Sequence, residues 1–384
     1  MMAVIADDFT GAAELAGVAF KCGASVEIIC DSVGPSNAEV VIVATDTRSK
    51  SEARAYEEVK SLITQIRDEA ALIYKKTDSV LRGHVVVELN AMAEVMGKQR
   101  VLLVPANPAH GRFIKDGIYY VNGYPVHKTE FANDPEYPLL TSNVLEILGH
   151  SNGLPVLLLA DSTIPIPAGI VVAEIATAAE LDLWAQRLDE ETIPAGAAGF
   201  FSSVLKARGY QSCDRRLEVS DFGKRALIIC GSAFSHGQVA AEEASARQAA
   251  VCKMPDEVFY NGSRKGEAFT KWVEEASRLL ETTGKVVVEM NRPVIKSAGF
   301  ARGLRERVAE FVEAVLQRVQ LGELFIDGGA TAYAIVKRLQ LRRFTPCAEI
   351  VPGVTRLEVK DQPKLHLTVK AGSYQWPDEL WAFD

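Results

Sequence analysis

The strand-like run Met2–Ala6 (MAVIA) leads straight into Asp7-Asp8-Phe9-Thr10-Gly11-Ala12, where a helical pattern opens. Adjacent carboxylates repel one another and resist burial without partners. A chain that keeps two of them where a strand hands over to a helix has a use for negative charge there. In an open α/β sheet that place is the crevice outside the carboxyl ends of the strands, where ligands bind.

The same ending recurs in the next three apolar runs. Val40–Ala44 passes into Thr45-Asp46-Thr47-Arg48-Ser49, and residues 71–74 pass into Lys75-Lys76-Thr77-Asp78-Ser79, with Arg82-Gly83-His84 just beyond. Residues 101–104 pass into Pro105-Ala106-Asn107-Pro108 and then His110-Gly111-Arg112. If the strands are parallel, all four polar clusters sit along one sheet edge. Such an edge offers carboxylates for hydroxyl groups and Lys or Arg for an anionic group. Asp8 and Thr10 also read as caps of the first helix, and Asp78 or Ser79 as caps of the next.

Between these strands the pattern predicts helices over 12–22, 51–69 and 85–96. Residues 117–143 carry turn residues and little periodicity, so they read as an irregular excursion, a candidate binding loop or lid. Strand character returns at 156–160 and 170–175, followed by a helix over 178–188. A polar stretch over 206–224 is the best linker. The alternation then restarts, with strands at 226–230, 285–290, 324–326 and 365–369 and helices at 239–248, 302–321 and 331–339. The fold class expected is α/β: two domains, each a mainly parallel sheet flanked by helices. The boundaries fall at 1–210, a linker at 211–224, and 225–384.

With 384 residues, 48% hydrophobic and 24% charged, the chain has ample material for two buried cores. A formal charge of −8 argues against a nucleic-acid or anionic-membrane partner, since both need a basic face. The six cysteines are scattered singly, without zinc spacing, and read as reduced thiols; no metal site is expected. Asp7 and Asp8 interrupt any leader-like apolar segment. Residues 153–176 are broken by Asp161, Pro165, Pro167 and Glu174, which is wrong for a membrane span. The expected location is cytoplasmic.

In the second half the strand ends carry small residues instead: Gly231-Ser232, Asp327-Gly328-Gly329-Ala330-Thr331, Pro352-Gly353 and Lys370-Ala371-Gly372. Glycine between strand and helix lets backbone N–H groups approach a phosphate. It is also routine punctuation, and neither G-x-x-x-x-G-K-[ST] nor G-x-G-x-x-G occurs.

IADDFTGAAELAG at 5–17, DTRS at 46–49, YKKTDSVLRGHVVVEL at 74–89 and PANPAHGR at 105–112 closely resemble the four-carbon acid sugar kinases. Asp134-Pro135, Gly231-Ser232 and Gly328–Ala332 extend the resemblance over essentially the whole chain. It implies a sugar-acid-binding first domain and a nucleotide-binding second domain, with ATP, accompanied by Mg2+, phosphorylating the terminal hydroxyl of a threonate-, erythronate- or 3-oxo-tetronate-type acid. By that resemblance Asp8 and its rival Asp78 are the catalytic groups. The substrate site is expected to hold Asp7, Thr10, Gly11, Asp46, Arg48, Lys75, Lys76, Ser79, Arg82 and Gly83. The nucleotide site is expected to hold Gly231, Ser232, Gly328, Gly329, Ala330, Thr331, Gly353 and Gly372. The expected partners are the small-molecule acid and nucleotide, with a homodimer as a possible assembly. The family's Gly-Gly-acidic-Thr pattern has Ala330 in its third place here, and bulky Tyr374 and Trp376 follow Gly372. That departure leaves a second reading open, a sugar-acid-binding protein with a degenerate nucleotide domain and no kinase activity.

Overall fold

In a computed structural model, which describes residues 1–213, 222–231, 249–261, 266–290, 292, 295 and 297–378, the chain divides into two units, Met1–Cys213 and Asp214–Asp384. Most of the expected linker and the helix expected at 239–248 lie outside the described residues. Both units are α/β, each with a mainly parallel sheet flanked by helices.

In the first unit the strands are β1 (Met2–Ala6), β2 (Val26–Cys30), β3 (Val40–Ala44), β4 (Leu72–Lys76), β5 (Arg100–Val104), β6 (Arg112–Lys115), β7 (Ile118–Val121), β8 (Tyr124–Pro125), β9 (Val156–Leu159), β10 (Gly169–Ala173) and β11 (Thr192–Gly196). The main sheet runs β2-β3-β1-β4-β11-β5-β10-β9 with parallel neighbours. Strands such as Val40–Ala44 are apolar at every position and buried throughout. They therefore need helices on both faces. Each fully buried valine or isoleucine contributes about 1.5–3 kcal/mol, which is what holds the layers together. On one face α1 (Phe9–Lys21) packs beside the helix Ala198–Ala207, and on the other α2 (Glu52–Ile66) packs beside α3 (Val85–Met96). Gly11, Ala12, Ala13, Ala16 and Gly17 are buried along α1 and let it lie close to the sheet.

Two departures matter for the site. β4 extends through Lys75 and Lys76, which were expected beyond the strand end. The excursion is regular only at its start: β6, β7 and β8 pair as a separate antiparallel sheet, and short 3-10 turns at Val126–Lys128 and Glu130–Asn133 and loop follow. The turns of that sheet are Asp116-Gly117 and Asn122-Gly123, all four residues with positive φ. Paired positive-φ residues of this kind make type I′ hairpin turns, so the signal was present in the dipeptides themselves.

The second unit contains β12 (Ala226–Cys230), β13 (Ala250–Lys253), β14 (Lys285–Glu289), β15 (Glu323–Asp327), β16 (Arg343–Val351), β17 (Val354–Val359) and β18 (His366–Lys370), in the order β13-β14-β12-β15-β18-β17-β16. Pairing is parallel as far as β18, after which β17 and β16 are antiparallel additions. This hairpin was not expected: Pro346 lies at a register shift, and charged residues interrupt the alternation. Because Val354 pairs with Lys370, the Gly353 turn lies at the carboxyl end of β18. Among the described residues no helix is long and apolar enough to cross a membrane.

Candidate functional site

At the carboxyl edge of the first sheet, the clusters after β1, β3 and β4 converge on one guanidinium. Arg48 Nε donates to Asp7 Oδ2 at 2.8 Å. Its Nη2 and Nη1 lie 3.2 Å from Asp8 Oδ1 and 3.4 Å from Asp78 Oδ1. Asp7, Asp8 and Asp78 are all buried, so like charges that would repel are held by a shared cation.

Asp8 caps α1: Oδ1 accepts from Gly11 N at 2.9 Å, and Oδ2 accepts from Thr10 Oγ1 at 2.6 Å. A Cβ on Gly11 would come within 2.6 Å of Asp8 Oδ1, so glycine is required by close approach. Burial pushes the Asp8 carboxyl up, but Arg48, Lys76 and the two hydrogen bonds outweigh it and hold it below the usual value. Asp78 Oδ2 accepts from Arg82 Nε at 2.9 Å and Oδ1 from Arg82 Nη2 at 2.7 Å, a bidentate pair. Burial opposes its charge, yet Arg82 and Arg48 hold the Asp78 carboxyl far below the carboxylate range.

Lys76 belongs to this group. Its Nζ donates to Thr77 O at 2.9 Å and lies 3.6 Å from Glu14. Lys75 does not. Side chains alternate along β4, so Lys75 points to the opposite face, where Nζ lies 2.6 Å from Glu88 Oε2 of α3 and both residues are buried. Asp46 sits half-buried in the left-handed region and accepts from Ser49 Oγ at 3.1 Å. Ser79 receives Arg112 on its hydroxyl and Tyr119 on its carbonyl. Gly83, at φ +90°, leaves room for the Arg48 stem.

The excursion supplies residues that strand-end reasoning missed. Asp134 Oδ2 accepts from Arg82 Nη1 at 2.8 Å, and Phe131 lies under both Arg82 and Arg112, 5.1 and 5.6 Å from its ring centre. The Tyr137 hydroxyl donates to Arg48 O. Asp134-Pro135 was visible as a sequence mark, but nothing in the local pattern tied Phe131 or Tyr137 to the arginines.

In the second unit the glycine turns share one sheet edge, because Cys230 pairs with Asp327, Asp327 with Lys370, and Lys370 with Val354. Gly328, at φ +96°, precedes the helix Gly329–Arg338 and makes no side-chain cap hydrogen bond. The first-turn N–H groups of Gly329, Ala330 and Thr331 therefore present the positive end of the helix dipole. Gly231 lies against Thr331, whose Oγ1 would be 2.6 Å from a Cβ there. Ser232 lies outside the described residues. Gly353 lies under the Tyr374 ring, and Gly372 is in the turn after β18.

Beside these turns is a fully buried pair that the sequence reading did not single out. Lys370 Nζ lies 2.9 Å from Asp327 Oδ1 and 5.0 Å from the Trp376 ring centre. The contact is an ion pair off the hydrogen-bonding direction, and neither Asp327 oxygen has a hydrogen-bond partner. Burial pushes the Asp327 carboxyl up to about 6 against the pull of Lys370.

The sequence profile of a sugar-binding N-terminal domain matches residues 2–204, and that of a nucleotide-binding C-terminal domain matches residues 227–374. A D-threonate kinase of Salmonella typhimurium is 26% identical over 97% of this chain and 95% of its own length. A 3-oxo-tetronate kinase of Methylobacterium radiotolerans is 26% identical over 97% and 96%. A D-erythronate kinase of Heliobacterium modesticaldum is 26% identical over 91% and 88%. Among solved structures, a Salmonella typhimurium LT2 protein aligns with a TM-score of 0.78 at 17% identity, covering 99% of this chain and 97% of its own. A Haemophilus influenzae protein aligns at 0.68 and 18%, covering 98% of each chain. At such identities these structures bear on the fold alone.

Proposed function

The chain belongs to the four-carbon acid sugar kinase family, and from that premise we propose that it phosphorylates a four-carbon sugar acid with ATP, at the terminal hydroxyl. The observation that carries this reading is the tandem of profiles, sugar-binding then nucleotide-binding, on a chain whose kinase relatives align from end to end. The polar cluster around Arg48 fits such a ligand. Carboxylates accept its hydroxyl protons, and the guanidinium contacts at 3.2 and 3.4 Å are long enough for a ligand carboxylate to displace.

Phosphoryl transfer asks the protein for placement and charge neutralisation more than for covalent chemistry. The hydroxyl oxygen attacks the γ-phosphorus, the bond to the β,γ-bridging oxygen breaks, and its electron pair leaves with ADP. Asp8 is the proposed proton acceptor. Asp78 is the weaker base, being held down by two arginines. A depressed Asp8 carboxyl suits a loose transition state, in which the proton leaves late. The bared N-terminus of the helix Gly329–Arg338, with Gly328 before it, suits the nucleotide phosphates. Among the described residues no group of three His, Cys, Asp or Glu gathers as a metal cage. Mg2+ bound with the nucleotide would supply neutralisation of phosphate charge.

The crowding of Gly353 by Tyr374 favours the second reading, binding without transfer. A panel of threonates, erythronates and 3-oxo-tetronates with ATP and Mg2+, read by ADP release, separates the two. Turnover on at least one acid is expected, with Asp8→Asn abolishing it in a protein that still folds, at a lowered melting temperature. Thermal stabilisation by an acid with no ADP release on any would overturn the kinase reading.

A further inference from the structure

Arg48 reaches the site on the short loop between β3 and α2. Asp46 in that loop, at φ +51°, lies in the left-handed region, which a non-glycine residue keeps only when its surroundings fix it. Lys50 Nζ closes the loop on itself, donating to Thr45 O at 2.6 Å. That contact does not set where the closed loop sits over the sheet. Two side chains from distant segments do. His84 Nε2 lies 2.7 Å from Lys50 O, and the Tyr137 hydroxyl donates to Arg48 O. The two rings meet edge to face, 6.0 Å between centres at 86°. Tyr137 is itself anchored, its N–H donating to Asp134 Oδ1 at 2.7 Å.

A carbonyl only accepts, so the contact with Lys50 O puts a hydrogen on His84 Nε2. That nitrogen cannot also take a proton from a substrate. Nor is the side chain spent on the helix it precedes, for His84 makes no side-chain cap hydrogen bond to α3. What it does hold is the loop. Arg48 N and Nε donate to Asp7 O and Oδ2 at 3.2 and 2.8 Å. A loop displaced at Lys50 O or Arg48 O would draw the guanidinium off Asp7, and with it off Asp8 and Asp78 at 3.2 and 3.4 Å.

We propose that His84, together with Tyr137, is a positioning residue: through Lys50 O and Arg48 O the pair seats the loop over residues 45–50 and so holds the Arg48 guanidinium in place for the acid. This rests on the sugar-acid reading above. His84 acts through Arg48 and takes no part in moving a proton.

The test compares the full-length protein with His84→Leu, which fills much the same space without a donor, and His84→Gln, whose amide nitrogen comes close to the place of Nε2. Tyr137→Phe removes the second donor with one atom. Two readouts are needed: steady-state kinetics with ATP and the preferred tetronate, and hydrogen exchange of the amides in residues 45–51 without ligand. In His84→Leu the Michaelis constant for the acid should rise about tenfold, with kcat and the Michaelis constant for ATP changed by less than about twofold. Exchange should quicken in residues 45–51 and not over the rest of the first unit. Tyr137→Phe should follow the same pattern, and His84→Gln should restore both readouts. Unchanged exchange in His84→Leu, or faster exchange with the Michaelis constant unmoved, would overturn the inference while leaving the kinase reading standing. So would a loss of kcat that His84→Gln does not restore, or faster exchange spread evenly over the unit. If the original protein turns over none of the acids, the kinase reading falls, and the exchange readout still decides whether His84 holds the loop.

Discussion

Arg82 Nη1 donates to Asp134 Oδ2 at 2.8 Å across 52 residues of sequence. The opposite edge of the same guanidinium grips Asp78. Asp134 is itself fixed, because its Oδ1 accepts from Glu136 N and Tyr137 N at 2.9 and 2.7 Å. The hairpin excursion thus acts on Asp78 through Arg82.

Asp134→Ala should therefore release Arg82 at one end. A charge-assisted hydrogen bond of this kind contributes about 1.5–3 kcal/mol, so the melting temperature should fall. The Michaelis constant for the acid should rise about tenfold, a loss of about 1.4 kcal/mol in binding, with kcat changing less. Asp134→Asn, which keeps one acceptor, should lie between the two. An unchanged Michaelis constant in Asp134→Ala would show that the excursion has no hold on the substrate site.

Arg48→Met tests the shared cation. It leaves Asp7, Asp8 and Asp78 buried against one another, and removing one partner of a buried pair costs about 3–5 kcal/mol. The effect depends on pH. In the unaltered protein the Asp8 and Asp78 carboxyls lie below their unfolded values. Their stabilisation is therefore present above about pH 4 and lost as pH falls through the folded values. Without Arg48 that depression shrinks, and burial drives the carboxyls toward protonation. The stability gap between the two proteins should be widest near pH 7 and should narrow below pH 4 in denaturant titrations. A gap independent of pH would mean that Arg48 stabilises by packing alone.

What was legible in the sequence is what depends on local order. The apolar runs and their charged ends gave the sheet, its parallel sense and the gathering of Asp7, Asp8, Arg48, Asp78 and Arg82. Long-range pairing was not legible. Lys75 and Lys76 look alike as neighbours, yet strand alternation sends one to Glu88 and the other to the site. Pro194 hid β11 because proline cannot donate to a ladder, although this strand lies between β4 and β5. Asp327 and Lys370 are 43 residues apart, and only the β15–β18 register brings them together.

Lys75→Met should behave as a core defect. It strands Glu88, whose Oε1 already lacks a hydrogen bond, in an apolar interior. The expected loss is about 3–5 kcal/mol. Lys75→Met combined with Glu88→Leu should recover most of it, because well-packed apolar replacements of buried ion pairs are often neutral. The double variant should also retain the parent kcat/KM. Full stability with activity lost would return Lys75 to the substrate site.

If the Gly328-Gly329 turn holds the nucleotide, as proposed above, Asp327 should make that binding pH-dependent. Its carboxyl is raised to about 6, chiefly by burial. A raised carboxyl favours folding while protonated in both states, below about pH 4. That advantage is lost as pH climbs toward 6, leaving above it an ionised carboxylate paired with Lys370. Below pH 6 Asp327 becomes neutral, and the Lys370 charge is left uncompensated beside the Gly328-Gly329 turn. An added positive charge favours phosphate. Affinity for ADP should therefore rise from pH 7 to pH 5 by more than the titration of the nucleotide itself supplies. Asp327→Asn should lack the excess and should bind ADP at pH 7 as the parent does at pH 5. Calorimetry across that range on both proteins decides the point. Parallel pH profiles would show that Lys370 stays committed to its buried pair and never reaches the nucleotide.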